Sequence, residues 1–256
     1  RTVIENAATE PEVMALIKLL HLMGAIIGLG ANRMVYIEGV PRLHGVTQEV
    51  IADRNEAVSF ACLAVATHGE IFVKGAVQEH LFTFLNELRR AGGDYEVAED
   101  GIRFARAKGK NLTAVAIETD THPGFMTDWQ QPFTVLLTQA HGISTVHETV
   151  YEDRFGYVAD LNSMGAKVTV SSHCLGELPC RFATKTFPHS ISIEGSTPLH
   201  AMPLKVRDLR AGIAHVLSAL VAEGETTIEG VEEIYRGYEK IDERLRGLGA
   251  YIKREN

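Results

Sequence analysis

Three segments of this chain hold helices too apolar to lie on a surface. Residues 57–75 (AVSFACLAVATHGEIFVKG), 133–150 (FTVLLTQAHGISTVHETV) and 212–231 (GIAHVLSALVAEGETTIEGV) each read as an apolar helix, a glycine and then a β-branched strand. A helix that is apolar on nearly every side must be covered on nearly every side. The strands are therefore expected to lie outside the helices, inverting the usual barrel. A second pattern, a helix closed by a small-residue cap and followed by a strand, recurs at residues 21–28, 87–97, 161–170 and 244–254. Glycine after the last helical turn supplies a left-handed cap there. Together the units read strand, helix, strand, helix, strand, which predicts an α/β fold: an inside-out α/β barrel built of βαβαβ pseudo-repeats with buried helices.

Composition narrows the function. At 256 residues the chain has ample apolar content for a core, and its net charge of −8 argues against nucleic acid or an anionic membrane as main partner. Any anion site must then be a local concentration of positive charge. Three cysteines with no CxxC pair fit a reducing cytoplasm. Cys174 and Cys180, with His173 beside them, match none of the usual zinc spacings, so ordinary packing and no metal are expected. The eleven histidines contain no HExxH motif, and no apolar run approaches the ~18 residues of a membrane span. The opening Arg1-Thr2-Val3-Ile4 reads as a strand already under way, so the chain is expected to be cut from something longer.

The residues suited to chemistry stand at helix starts. Asp53 with Glu56, and Thr127 with Gln130, have capping-box spacing. With Thr127 as the cap, the Asp128 carboxylate is left freer, is stabilised as an anion by the helix dipole, and can orient and partly deprotonate a hydroxyl. Arg210 falls in the first turn of a helix starting at Asp208, where a cation opposes the dipole by about 0.3–1 kcal/mol. Either Asp208 offsets it, or a bound phosphate or carboxylate does. Arg236 repeats the arrangement in the turn before GYEKIDERLRGL. Arg154 either pairs with Glu152 or Asp153 on the surface or joins the same site. Val150 and Tyr151, at the end of the strand STVHETVY, offer backbone groups to a sugar. His122 reads as loop packing. Gly28-Leu29-Gly30 lacks the full dinucleotide fingerprint and reads as a turn. Because the repeats are equivalent, Asp128, Arg154, Arg210 and Arg236 are expected to line one concave end of the domain.

The runs HPGFMTDWQQP (122–132), EDRF (152–155), DLRAG (208–212) and IYRGYEKI (234–241) resemble the enolpyruvyl transferase family, and TDWQ and YRGYE favour its nucleotide-sugar branch. The opening IENAATEPEV is similar to the family's mid-chain. The resemblance implies two inside-out domains with substrates between them: residues 1–52 as the last unit of an N-terminal domain, and residues 53–256 as the C-terminal domain. It implies phosphoenolpyruvate and UDP-N-acetylglucosamine as substrates, no cofactor, and a missing N-terminal half of the same enzyme as partner. Carried over, Asp128 is similar to the carboxylate that contacts the sugar 3-hydroxyl and acts as its base. Arg154, Arg210 and Arg236 resemble the cationic cluster that orients phosphoenolpyruvate, and Val150-Tyr151 resembles the segment that holds the nucleotide sugar. MTDW stands where PTDM or PTDL is commoner, and none of Cys62, Cys174 or Cys180 lies in a motif matching the family's catalytic cysteine. That cysteine loop and a lysine-asparagine pair belong upstream of Arg1, so the chain alone is expected to be inactive. An enolpyruvyl transferase acting on another nucleotide, and a non-catalytic anion-binding paralogue, are the alternatives.

Overall fold

The computed structural model describes residues 1–177 and 179–255, and the side chain of Arg210 also lies outside the described part. The chain opens with β1 (Thr2–Ile4), α1 (Pro11–Leu22), β2 (Ile26–Gly30) and β3 (Met34–Glu38), whose strands form an antiparallel sheet ordered β1-β3-β2. After a long connection, α2 (Arg54–Ala66) leads to β4 (Glu70–Lys74), α3 (Phe82–Arg90), β5 (Gly93–Ala98) and β6 (Gly101–Arg106), again antiparallel and ordered β4-β6-β5. Next come β7 (Ala116–Glu118), α4 (Gln130–Leu137), β8 (Gly142–His147), α5 (Val158–Ser163), β9 (Lys167–Ser171) and β10 (Ser190–Gly195). Their sheet runs β7-β8-β10-β9, with β7 parallel to β8 and the other pairs antiparallel. The chain closes with β11 (Leu204–Lys205), α6 (Leu209–Val221), β12 (Ile228–Glu229), α7 (Glu232–Tyr235) and α8 (Ile241–Gly247), β11 pairing in parallel with β12.

The three apolar helices meet at the centre. α2, α4 and α6 pack on one another, and every residue of α4 is buried. Sheets flank them, as the all-round apolar character requires. Full burial of each Val, Leu, Ile or Phe contributes about 1.5–3 kcal/mol, so this centre is the main source of cohesion. Phe84, Phe125, Trp129 and Phe133 join it as edge-to-face rings 5.3–6.1 Å apart.

The helix caps repeat as expected. Gly24, Gly92, Gly165 and Gly249 each have φ between +95° and +106°. Behind three of them the same hydrogen bond closes the helix: Ala25 N–H to Leu20, Ala166 N–H to Leu161 and Ala250 N–H to Leu245. This is the Schellman pattern, which satisfies carbonyls that the last turn would otherwise leave open. Each cap therefore turns the chain back locally, without help from distant residues.

Two local expectations fail. Gly28-Leu29-Gly30 is not a turn but the body of β2, where Gly30 lies opposite Met34 and a Cβ on it would fall 2.7 Å from the Tyr36 ring. Close backbone approach, not turn geometry, explains that glycine. Residues 251–254 do not form the strand predicted after α8. A strand needs a neighbour to satisfy its backbone, and the segment has none among the described residues. It lies instead against the last helices, with the Arg246 Nε donating to the Ile252 carbonyl (3.1 Å) and Arg254 over the Tyr235 ring.

Candidate functional site

The expected carboxylate and arginine meet directly. Arg154 Nη2 donates to Asp128 Oδ1 (2.5 Å) and its Nη1 to Thr127 Oγ1 (3.1 Å). With the Gln131 amide in the orientation that satisfies both of its ends, Arg154 Nε donates to the amide oxygen (2.8 Å). The guanidinium also lies over the Tyr151 ring, 4.6 Å from its centroid. Asp128 and Arg154 are mostly buried, at 20% and 13% side-chain exposure, so the pair sits at the floor of a surface rather than on it. The surface pairing of Arg154 with Glu152 or Asp153 is not what forms.

Thr127 does not cap a helix. Thr127–Trp129 is a single 3₁₀ turn ahead of α4, with no side-chain cap. The Thr127 hydroxyl donates instead to Glu148 Oε2 (2.8 Å), while it accepts from Arg154. The expectation that capping by Thr127 leaves Asp128 freer is corrected accordingly: Thr127 is turned toward Glu148, and Asp128 is held by Arg154.

Glu148 is the residue the sequence reading missed. It is fully buried one position past β8, and its Oε1 accepts from Thr119 Oγ1 (2.7 Å), Val150 N–H (2.8 Å) and Tyr151 N–H (2.9 Å). One side chain thus ties together the turn bearing Asp128 and the turn bearing Val150 and Tyr151. β8 ends at His147, so these two residues lie in that turn rather than at a strand end. Their amides are taken by Glu148, and the Val150 carbonyl accepts from the Arg181 guanidinium. Tyr151 keeps an exposed ring. The only sequence signal for Glu148 was an acidic residue in an otherwise strand-like run.

The other helix starts gather at the same end. Asp53 caps α2, accepting from the amides of Asn55 (2.7 Å) and Glu56 (3.4 Å), as expected. The return half of the capping box is missing, because Glu56 pairs with Arg244 (2.7 Å). Asn55 Oδ1 accepts from the Trp129 indole (3.0 Å), which fixes the Asp128 turn against the first turn of α2. One turn on, Ser59 hydrogen-bonds the Tyr238 hydroxyl (2.9 Å). Asp208 caps α6 through the Ala211 amide (2.9 Å), also as expected, and a Cβ on Gly237 would fall 2.9 Å from Leu209. Arg236 follows α7 with its side chain 71% exposed and an ion pair to Glu233 (2.6 Å). It lines an open groove with Asp53, Glu56, Tyr235, Lys240 and Arg244. The side chain of Arg210 falls outside the described residues, so its expected place in the cluster is left to its helix alone.

Arg54 was not singled out from the sequence either. It is 3% exposed, holds Glu12 of α1 through two bonds (2.8 and 2.9 Å), and lies over the Trp129 ring. Burial acts to raise the Glu12 pKa, but the Arg54 hydrogen bonds and charge outweigh it and hold Glu12 below the usual range. His122 packs beside Arg54 (3.4 Å), in line with the loop-packing expectation. Burial, followed by the Arg54 charge, lowers its pKa.

Cys174 and Cys180 have neighbours other than the one their sequence suggests. His173 is exposed and stands apart, whereas His147, Cys174, Cys180 and His189 bring their side-chain N and S atoms within 4.8 Å of one another. Local spacing could not reveal this, because the four groups come from β8, the loop after β9 and the approach to β10.

A UDP-N-acetylglucosamine 1-carboxyvinyltransferase of Protochlamydia amoebophila (strain UWE25) is 48% identical over 98% of this chain, and one of Chlamydia pneumoniae is 46% identical over 99%. The chain spans about half the length of these relatives, 54% and 55% respectively. Among solved structures, the enolpyruvyl transferase NikO from Streptomyces tendae is similar with a TM-score of 0.82 and 25% identity, over 98% of this chain and 56% of that one. An EPSP synthase from Acinetobacter baumannii shares the fold with a TM-score of 0.66 at 16% identity, over 96% of this chain and 56% of its own. Buried helices with sheets outside them are thus the inside-out α/β fold of enolpyruvyl transferases. The pattern of the EPSP synthase (3-phosphoshikimate 1-carboxyvinyltransferase) family matches residues 1–245, and the chain belongs to that family.

Proposed function

We propose that this chain forms the C-terminal part of an enzyme that transfers the enolpyruvyl group of phosphoenolpyruvate to the 3-hydroxyl of UDP-N-acetylglucosamine. The observation that carries the reading is the Asp128–Arg154 pair, held on adjoining turns by Glu148 at the end where the central helices begin. The names of the relatives support the acceptor. On this reading residues 1–52 complete an N-terminal domain, residues 53–256 form the C-terminal one, and the substrates bind between them. The reaction opens peptidoglycan synthesis in the cytoplasm, where the three free cysteines stay reduced. No helix among the described residues is long and apolar enough to cross a membrane.

The placement of Asp128, Arg154 and Arg236 supports the chemistry assigned to them, and for Arg210 the support is the family resemblance alone. Asp128, oriented by Arg154, accepts the proton of the 3-hydroxyl as its oxygen attacks the substituted carbon of phosphoenolpyruvate, and the methylene carbon takes a proton from a general acid on the N-terminal portion. Arg210 and Arg236 hold the phosphate and carboxylate groups, and phosphate then leaves from the tetrahedral intermediate as the methyl carbon gives up a proton and the C=C bond re-forms. Val150 and Tyr151 form the wall beside the sugar. The test is phosphate release from phosphoenolpyruvate and UDP-N-acetylglucosamine by the chain alone and by the chain joined to an N-terminal portion like that of the relatives. Turnover is expected only for the joined protein. Brisk turnover by the chain alone, or a joined protein that uses another nucleotide and not this one, would overturn the assignment.

A further inference from the structure

Beside the β7-β8-β10-β9 sheet, four side chains converge that the proposed transfer does not use. His147 Nε2 lies 3.2 Å from Cys180 Sγ, and His189 Nε2 lies 3.5 Å from Cys174 Sγ. Both histidines are buried, at 1% and 0% exposure, and all four N and S atoms fit within 4.8 Å of one another. Zinc–sulfur bonds near 2.3 Å and zinc–nitrogen bonds near 2.0–2.1 Å set tetrahedral N···S edges at about 3.5 Å and S···S edges at about 3.8 Å. The His189–Cys174 contact (3.5 Å) matches that edge, and the His147–Cys180 contact (3.2 Å) is 0.3 Å shorter.

The surroundings prepare the histidines for an ion. His147 Nδ1 faces Glu118 Oε1 (3.4 Å), and His189 Nδ1 faces the Phe187 carbonyl (3.1 Å). A proton on each Nδ1, donated to its acceptor, leaves both Nε2 lone pairs directed at the sulfurs, which is how metal-bound histidines are oriented. The Phe182 amide donates to Cys180 Sγ (3.4 Å) and so fixes where the sulfur sits. Phe182 and Phe187 pack on the His189 ring and hold it in place. Gly176 is required by the same arrangement, since a Cβ there would fall 2.2 Å from His147 Nδ1 and still nearer to Glu118. The loop backbone therefore lies directly on the carboxylate–histidine pair.

We propose that His147, Cys174, Cys180 and His189 bind one tetrahedral zinc ion that clamps the loop between β9 and β10 onto the sheet. Four protein ligands leave no open position, so the ion is structural. Its effect reaches the candidate site through the chain: His147 precedes Glu148, and Arg181 follows Cys180 and holds the Val150 carbonyl. The proposal stands independently of the transferase reading, because it concerns binding and stability alone.

The test uses the full chain, purified under reducing conditions without a chelating column, with metal content measured by elemental mass spectrometry. About one zinc per chain is expected. Stripped protein titrated with cobalt(II) should develop the intense visible bands of a tetrahedral thiolate complex, and zinc should displace the cobalt. Glu118→Gln, which removes no ligand, should weaken zinc binding about 10–100-fold. His173→Ala should leave it unchanged, although His173 adjoins Cys174. The Cys174→Ser/Cys180→Ser double variant should abolish the cobalt bands; if it fails to fold, the wild-type cobalt spectrum and the loss of thermal stability on chelation, reversed by zinc, decide the matter. Reduced protein with no bound metal, weak octahedral cobalt bands, or a Cys174–Cys180 disulfide in place of metal would each overturn the proposal.

Discussion

Removing the Glu148 side chain tests whether the candidate site is organised from beneath. In Glu148→Ala the hydroxyls of Thr119 and Thr127 and the amides of Val150 and Tyr151 all lose their acceptor at a position with no solvent exposure. Each orphaned donor costs about 1–3 kcal/mol, and water entering the vacated space recovers part of this, so a net loss of about 4 kcal/mol is expected. Glu148→Gln keeps the Oε1 acceptor with its three bonds and changes only the Thr127 contact, so it should cost about 1–2 kcal/mol. The assay is urea unfolding with midpoints read at constant slope. A double-mutant cycle of Glu148→Ala with Thr127→Val should give a coupling of about 1 kcal/mol. An alanine variant no less stable than the glutamine variant, or no coupling to Thr127, would refute the claim that this carboxylate fastens the two turns together.

Asp128→Asn retains the Oδ1 acceptor for Arg154, so stability should fall by no more than about 1 kcal/mol, while turnover of the joined enzyme falls about 10²–10⁴-fold; near-normal turnover would reduce Asp128 to a structural role. Burial lowers the His215 pKa despite Asp160 at 2.9 Å. The unfolded chain therefore takes up that proton first, and this share of stability is intact above about pH 6.5 and declines as the pH falls below it. His215→Gln should flatten the decline in unfolding midpoints between about pH 7 and about pH 5.5; an unchanged profile would count against it. The depressed Glu12 contributes stability that is full above its unfolded pKa, about 4.3, and is lost as the pH falls toward the folded value. Glu12→Gln should cost about 1–3 kcal/mol at neutral pH, since it leaves the buried Arg54 cation without its counter-charge, and should weaken that acid sensitivity in urea unfolding.

What could be read in the sequence was whatever depends on neighbours along the chain. Glycine at the Schellman position and aspartate at the starts of α2 and α6 act within a few residues, and these were found where expected. The apolar helices were legible because their surroundings are written into their own composition. Thr127 misled because Thr-x-x-Gln spacing states a possible cap, whereas the fold gives its hydroxyl the Arg154 guanidinium to accept from and the buried Glu148 carboxylate to donate to. Asp128 and Arg154 were expected at one site, but their direct contact depends on how the Thr127 turn meets the turn after β8. His147 and His189 were invisible as partners of Cys174 and Cys180 for a similar reason: strand pairing between β8 and β10 brings them together.

The repeated glycine caps also bear on how the chain reaches this structure. Three of the caps turn the chain out of its helix through a hydrogen bond between residues five apart, as from Ala25 to Leu20 or Ala166 to Leu161. Such local closures carry little loop entropy and form early. The central helices begin at Arg54, Gln130 and Leu209, so bringing them together closes long loops that nothing local rewards. The expected order is therefore capped units first and the central trio last, with mutations inside α2, α4 or α6 slowing the final collapse and mutations at the caps acting on the earliest species.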